Sequence, residues 1–399
     1  MIIEIILALL LGILAGTFTG LMPGIHINLI SAFLVASLSY FSSTPLIALA
    51  VFIASMSITH TFLDFIPSIF LGAPNEDTFL SILPGHEMLL QGQGFKAVFL
   101  SLIGSLTAIP IILIFTPLFI LFLPPLYLSL KFLIPFILIF ISIYLILREQ
   151  DFFLSAAVFI LSGFLGLITF NLPIEEPLLP LLTGLFGTSA IILSIKNENK
   201  IQKQKVQTIK ESLPSKKEYL KASLASLFAP LFSFLPGIGS GHAATLASEI
   251  VPQEKSGFLI LTGSINTIIM ALSFITIYSI GKARSGTAAA VQEILKNITL
   301  QDILIILAAI VVSALLAFFL GIKISRLFAL YLNKINYKLL NIFVIAILII
   351  INIIFTNYLG LIVLITSTAL GIFCITSNAR RINLMGALII PAVVYYLMN

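Results

Sequence analysis

Apolar runs of about 20 residues recur along the whole chain, each long enough to cross a hydrocarbon core of about 30 Å. Full-length runs fall at 45–70, 97–123, 126–147, 152–170 and 177–195. Five more follow at 256–280, 301–322, 339–356, 358–376 and 382–398. Continuous stretches of Leu, Ile and Phe predict spanning helices, not the alternating strands of about 10 residues that build membrane barrels. Two further apolar segments, 2–42 and 219–251, are interrupted. The first breaks at "GLMPGIHINLI" (20–30) and the second at "SFLPGIGSGHAAT" (233–245), both at the tripeptide Pro-Gly-Ile. Proline removes an amide donor and clashes with the preceding turn, and glycine relaxes the backbone, so both segments are expected to break there.

The breaks belong to a longer pattern. Pro23 and Pro236 are 213 residues apart. "GAPNEDT" (Gly72 to Thr78) and "GKARSGT" (Gly281 to Thr287) share a leading Gly and a seventh Thr at a separation of 209, and Phe65-Ile66 is matched by Phe274-Ile275. Two structural repeats are predicted, each a Pro-Gly-broken helical hairpin followed by about five spanning helices. Between them lies the one strongly polar segment, 196–221, with eight of the chain's 21 Lys and Arg against three Glu. The organisation expected is a transmembrane repeat over 1–195, a basic cytoplasmic linker over 196–218 and a second transmembrane repeat over 219–399.

Charge sets the orientation. If each interrupted segment returns to its own side, five spans per half make the second repeat inverted relative to the first. With the linker inside, the loops at 71–96, 148–151, 252–256, 323–338 and 377–381 are inside too. This places 17 Lys and Arg in the cytoplasm and four outside, Lys131, Lys282, Arg284 and Lys296, as the positive-inside rule requires.

Composition narrows the class. The chain has 399 residues, 59% hydrophobic and 9% charged, with a mean hydropathy of +1.17; soluble domains carry about 25% charge. An all-α, multi-pass cell-membrane protein in contact with the lipid bilayer is expected. The net charge of +5 follows from topology and points to no nucleic acid. A single cysteine, Cys374, allows neither a disulfide framework nor a thiolate metal site. No His-x-x-x-His or Glu-x-x-His spacing is present, so no metal and no cofactor is expected. The first 21 residues lack a basic leader and a cleavage site and read as part of the mature protein.

Broken backbone at membrane depth is tolerated where protein buries it or where it lines a polar cavity. Paired broken helices in inverted repeats are the architecture of secondary transporters, in which half-helix amides hold an anionic group and free carbonyls a coupling cation. Pro23, Gly24, His26, Asn28 and Ser31 at the first break, and Pro236, Gly237, Gly239, Ser240, His242 and Thr245 at the second, are therefore candidate substrate contacts. An ordinary interfacial turn, with Ser and Thr easing helix packing, is the competing reading. His60 and Asp64, four residues apart in "SITHTFLDFIPS", form an ionisable pair at a costly depth and are candidates for ion coupling, against a helix-locking hydrogen bond. Asn75, Thr78, Ser285 and Thr287 occupy the two polar loops, as mouth residues or as helix caps.

The run from Phe65 to Leu106 makes a family resemblance specific. Gly72-Ala73-Pro74, Pro84-Gly85-His86-Glu87-Met88, Gln91-Gly92-Gln93-Gly94 and Gly104-Ser105 resemble the successive motifs of the TctA family, the large membrane subunit of tripartite tricarboxylate transporters. Gly20-Leu21-Met22-Pro23-Gly24-Ile25 and Leu235-Pro236-Gly237-Ile238-Gly239 resemble the family's paired Pro-Gly elements. The second loop departs from the family pattern, with Gly281-Lys282-Ala283-Arg284-Ser285-Gly286-Thr287 carrying no proline, and His26 stands where a small residue is usual. The chain is also shorter than usual, which marks a divergent branch. The resemblance implies a permease that is not an enzyme. It would import a small organic anion, a carboxylate by analogy, on a proton or sodium gradient. Its partners would be an extracytoplasmic binding protein and a small membrane subunit.

Three other classes compete. A translocase of a lipid-linked anion such as a polyprenyl phosphate could use the same hairpins, but should recruit Arg or Lys into the cavity, and none is expected near either hairpin tip. An intramembrane enzyme should carry a nucleophile elbow or paired aspartates, and neither occurs. A membrane scaffold does not require mirrored helix breaks.

The topology is directly testable. In a background lacking Cys374, a cysteine at position 205 should be shielded from an impermeant thiol reagent in intact cells, and one at position 282 should react. Labelling of position 205 from outside would overturn the orientation.

Overall fold

A computed structural model describes residues 1–22, 27–71, 82–174, 176–196, 203–205, 207–235, 239–332 and 337–398. Every regular element among them is a helix. The first half comprises α1 (Ile2–Leu21), α2 (Ile27–Ala36), α3 (Leu46–Leu63), α4 (Phe65–Phe70), α5 (Ile82–Leu90), α6 (Gly94–Leu130), α7 (Ile134–Leu147), α8 (Phe152–Phe170), α9 (Leu178–Leu182) and α10 (Ser189–Lys196). After two short helices, α11 (Ile209–Ser212) and α12 (Lys216–Ser226), come α13 (Ala229–Phe232), α14 (Ser240–Ile250), α15 (Lys255–Ile280), α16 (Gly286–Leu295), α17 (Leu300–Leu332), α18 (Tyr337–Thr376) and α19 (Gly386–Met398). Eight stretches are long and apolar enough to cross a bilayer. Of these, α3–α4 and α15 are almost wholly buried by protein, whereas α1, α8 and α18 expose much of their apolar surface. The protein is a multi-pass membrane protein whose two innermost helices are α3 and α15.

The spans differ from the expected ten in two places. Runs 97–123 and 126–147 join into one helical stretch, Gly94–Leu147, interrupted only by a tight turn at Lys131–Leu133. The prolines at 110, 117, 124 and 125 are accommodated within α6. Residues 178–196 form a shorter element whose middle, Thr183–Thr188, is a π-helix. The break between 339–356 and 358–376 is present within α18, where Asn357 takes φ 54°, ψ −164° and caps Leu359 N with its own Oδ1 at 2.9 Å.

Lipid gives helices no hydrophobic reason to associate, so close packing of small residues does much of the work. Gly12, Gly16 and Gly20 form one stripe on α1, and a Cβ at each would come within 2.7–2.9 Å of Ser55, Thr59 and Leu63 in turn. Contacts that advance together on both helices mean that α1 and α3 run parallel. The connection 22–45 must therefore return along their length. The second half does the same: Lys221 O accepts from Gln253 Nε2 (3.1 Å) beside the start of α15, and Leu235 O accepts from Arg284 Nε (3.3 Å) beyond its end. Both interrupted segments leave and return at the same end of the long helix that follows.

The halves are locked together by α6 and α15. A Cβ on Gly104 would fall on the carbonyl of Ile260, and one on Gly263 on the carbonyl of Ser101. The pair runs parallel: Lys255 at the start of α15 pairs with Glu87 just before α6, and Phe119 far along α6 packs on Phe234, next to the Leu235 that meets Arg284 beyond the end of α15. Ser105 Oγ donates to Gly263 O at 3.1 Å across the same seam. Because Phe70, at the end of α4, packs on Gly94, at the start of α6, α3 runs opposite to α6 and hence opposite to α15. The packing is also reciprocal. Helices α15, α16 and α17 begin 209, 204 and 206 residues after α3, α5 and α6, and α6 packs on α15 as α17 packs on α3.

One end of the molecule gathers the polar loops. Arg148 pairs with Glu249 (2.9 Å), Arg380 with Glu149 (3.3 Å) and Lys255 with Glu87, while Arg326 lies over the Phe95 ring at 5.4 Å. Burial pushes the Glu149 carboxyl above its ordinary value, against the opposing pull of Arg380. The linker joins this end through Gln204, which is buried: its Nε2 donates to Leu89 O (2.9 Å), and its Oε1 accepts from Gly94 N (3.0 Å). Gln204 thereby satisfies both sides of the Gln-Gly turn that opens α6.

The α6–α15 seam predicts the effect of adding volume. Gly104→Ala and Gly263→Ala should each cost about 1–3 kcal/mol, since the obstacle is backbone and cannot rotate away. Gly187→Ala, whose nearest neighbour would lie at 3.9 Å, should be neutral. Thermal unfolding in detergent checks this, and equal melting temperatures for all three variants would contradict the seam.

Candidate functional site

The site begins at α3. Residues 46–63 are apolar and β-branched enough to fill the protein centre, yet Ser55, Ser57, Thr59, His60 and Thr61 sit among them, all buried. Hydroxyl groups on Ser57 and Thr61 return to backbone carbonyls one turn earlier, at 2.7 and 2.8 Å, as Ser and Thr do in spanning helices. His60 does more. Its Nδ1 shares a hydrogen bond with Thr19 Oγ1 on α1 (3.0 Å). Asp64 ends α3, where its carboxylate Oδ2 accepts from Asn266 Nδ2 of α15 at 3.2 Å. Thr61 Oγ1 and Thr267 Oγ1 lie 3.2 Å apart one turn away. The predicted pair is thus held at the junction of α1, α3 and α15, with relative exposures of 4% for His60 and 2% for Asp64. Thr19, Asn266 and Thr267 were not singled out from sequence. Each is a lone polar residue in an apolar run, and only the fold brings them to the pair.

Gly20 packs on Leu63 and comes close to Asp64 N, so the end of α1 lies beside the ionisable pair. Pro23, Gly24 and His26 lie outside the described residues, as do Pro236 and Gly237. Asn28, at the start of α2, is seated against Gly286, where a Cβ would meet its Cγ at 2.8 Å. Ser31, three residues on, is buried, and its Oγ has no hydrogen-bond partner among the described residues.

At the second break, Gly239 is the N-cap of α14 and offers no side-chain oxygen to the first-turn amides. Ser240 and His242 are buried in that turn. The Nδ1 of His242 has no partner among the described residues. Thr245 Oγ1 donates to Gly241 O at 3.1 Å, an internal helix contact, and Ser248 does likewise to Thr245 O at 2.7 Å.

The segment 281–287 touches both breaks. Gly281 ends α15 in the left-handed region at φ 66°, which favours glycine. Ser285 caps α16 by accepting from Ala288 N (3.1 Å), and its Oγ also lies 3.2 Å from Ser273 Oγ and 3.0 Å from Thr287 Oγ1. Thr287 is buried and points its hydroxyl at Met270 Sδ (3.7 Å). Ser285 is thus a helix cap that also belongs to a hydroxyl cluster. Asn75 and Thr78 of the other polar loop lie outside the described residues.

Arg284 corrects the sequence reading. No basic residue is near either tip in sequence, but Arg284 Nε donates to Leu235 O, the residue before Pro236. It also lies within electrostatic reach of His242. A cation therefore stands at the second hairpin, contributed from a loop 49 residues away. No group of three or more His, Cys, Asp or Glu suited to a metal occurs among the described residues.

No solved structure matches the chain. An uncharacterized protein of Methanocaldococcus jannaschii is 32% identical to it, over 98% of this chain and 99% of that one. The model of the tripartite tricarboxylate transporter TctA family matches residues 6–386. With that motif order and a match over residues 6–386, the chain belongs to the tripartite tricarboxylate transporter TctA family.

Proposed function

We propose that this chain is a secondary-active permease for a small organic anion, a carboxylate, driven by a proton or sodium gradient. The family is one of membrane transporters. The observation that carries the finer reading is the meeting of Asn28 from the first hairpin and Leu235 from the second on a single segment, Arg284 to Gly286. A helix broken in a bilayer exposes amides and carbonyls that must be satisfied. Two such breaks brought to one place make a compact set of oriented donors, suited to a carboxylate. Around them Asn28, Ser31, Gly239, Ser240 and Thr245 supply small or neutral polar surface, and Gly24 and Gly237 are the smallest residues that the sequence places in the two breaks.

Helix directions support two inverted repeats, since α3 and its counterpart α15 run oppositely and their partners exchange. Such repeats move by rocking one half against the other around a fixed site. His60 and Asp64 are suited to coupling, because they lie where α1 and α3 of one half meet α15 of the other. A cation or proton taken up there changes the charge of the seam that has to move. The family name supports partners as well, an extracytoplasmic binding protein and a small membrane subunit.

Proteoliposome uptake tests the reading. Wild-type protein should accumulate a radiolabelled carboxylate when a proton or sodium gradient is imposed and should not without one. Asp64→Asn should bind the same substrate yet fall to the level of protein-free liposomes in gradient-driven uptake. Normal rate and pH profile in Asp64→Asn would make the pair structural and remove the coupling role.

A further inference from the structure

The two breaks are unequal in charge, and this extends the transporter reading, on which the inference rests, to how the substrate is held. On the first side the described groups are Asn28, seated against Gly286, and the His60–Asp64 pair beside Gly20, whose carboxylate accepts from Asn266. On the second side stand Arg284, bonded to Leu235 O, and the uncapped start of α14 with His242 in its first turn. An anion placed beside Asp64 would meet a like charge. The same anion at the second break would meet a guanidinium, backbone amides at the positive end of an 11-residue helix and an imidazole.

We propose that Arg284, His242 and the first turn of α14 form the anion-recognition corner of the site, where the ionised end of the substrate is held. Three observations converge on it. Arg284 is half-buried, and its backbone is fixed on either side. Thr276 Oγ1 donates to Lys282 O (3.3 Å), Gln292 Nε2 donates to Gly281 O (3.1 Å), and Ser285 caps α16. The guanidinium is therefore positioned in advance, and its planar fork matches a carboxylate or a phosphate oxyanion in two parallel hydrogen bonds. His242 is 1% exposed, and its Nδ1 has no partner among the described residues; a buried polar atom of this kind costs stability unless a ligand or water meets it. The N-cap of α14 is Gly239, which brings no side chain of its own to the position an anion would take. Lys282, two residues before Arg284, is exposed.

The shared ligand chemistry is an oxyanion, which a soluble carboxylate or a lipid phosphate could supply. The test separates them. Citrate, succinate, inorganic phosphate and a short-chain polyprenyl phosphate are titrated into the purified, lipid-reconstituted full chain by calorimetry. Wild type is expected to bind a carboxylate. Arg284→Gln should bind it about ten- to hundred-fold more weakly, the value of charge-assisted hydrogen bonds. Arg284→Lys should fall between, and Lys282→Gln should match wild type. Phenylglyoxal labelling of wild type, mapped by mass spectrometry, gives a reading that needs no variant. Saturating carboxylate should shield Arg284 and leave exposed Arg148 reactive. Undiminished binding by Arg284→Gln, or labelling of Arg284 despite bound ligand, would overturn the corner while leaving the permease intact. Binding of polyprenyl phosphate alone, lost in Arg284→Gln, would keep the corner and overturn the carboxylate reading. Binding of none of the four would overturn both.

Discussion

A polypeptide cannot break a helix inside hydrocarbon without finding partners for the amides and carbonyls it releases. This chain breaks two, and the rest of its structure follows from how the breaks are housed. Each broken segment runs out beside a long helix and returns. The described residues that flank the breaks rest on protein, Gly20 on the polar end of α3 and Leu235 on the loop after α15. The polar residues that satisfy the surroundings are the same residues on which the proposed site draws. Burial of His60 and Asp64 is sustained by Thr19 and Asn266, just as Arg284 is held by Leu235 O.

Housing two breaks in one place requires the halves to interlock. The contact at Gly104 and Gly263 does this with backbone against backbone, leaving no side-chain layer to compress. α6 and α15 can therefore move only as a unit or separate along the seam. Around them the exposed faces of α1, α7, α8, α17 and α18 carry Leu, Ile and Phe toward lipid. Polar loops collect at one end, joined by ion pairs and by Gln204 across the turn before α6.

Much of this was legible in the sequence because it is local. Runs of apolar residues give spans by length, Pro-Gly-Ile gives the breaks, and the gap near residue 357 gives the bend in α18. His60 and Asp64 stand out because ionisable groups in apolar runs are rare. What was not legible is contact between segments far apart in sequence. Arg284 reads as a solvent-facing loop residue, since nothing near it announces Leu235. Asn266 reads as one polar residue in "LTGSINTIIM", and its role depends on Asp64, 202 residues away. The joined stretch 94–147 was read as two spans because its length exceeds one bilayer crossing. The turn at Lys131–Leu133 is tight enough to keep the helical pattern nearly continuous.

The central claim is that the two hairpins and the loop 281–287 surround one working site, and a single engineered bond tests it. A Cβ on Gly286 would lie 3.0 Å from Asn28 Cβ, close to the roughly 3.8 Å of a disulfide. With Cys374→Ser as background, the double variant Asn28→Cys, Gly286→Cys should crosslink on mild oxidation in native membranes. The crosslinked protein should lose gradient-driven anion uptake and regain it on reduction. Failure to crosslink, or full uptake by the crosslinked form, would contradict the claim.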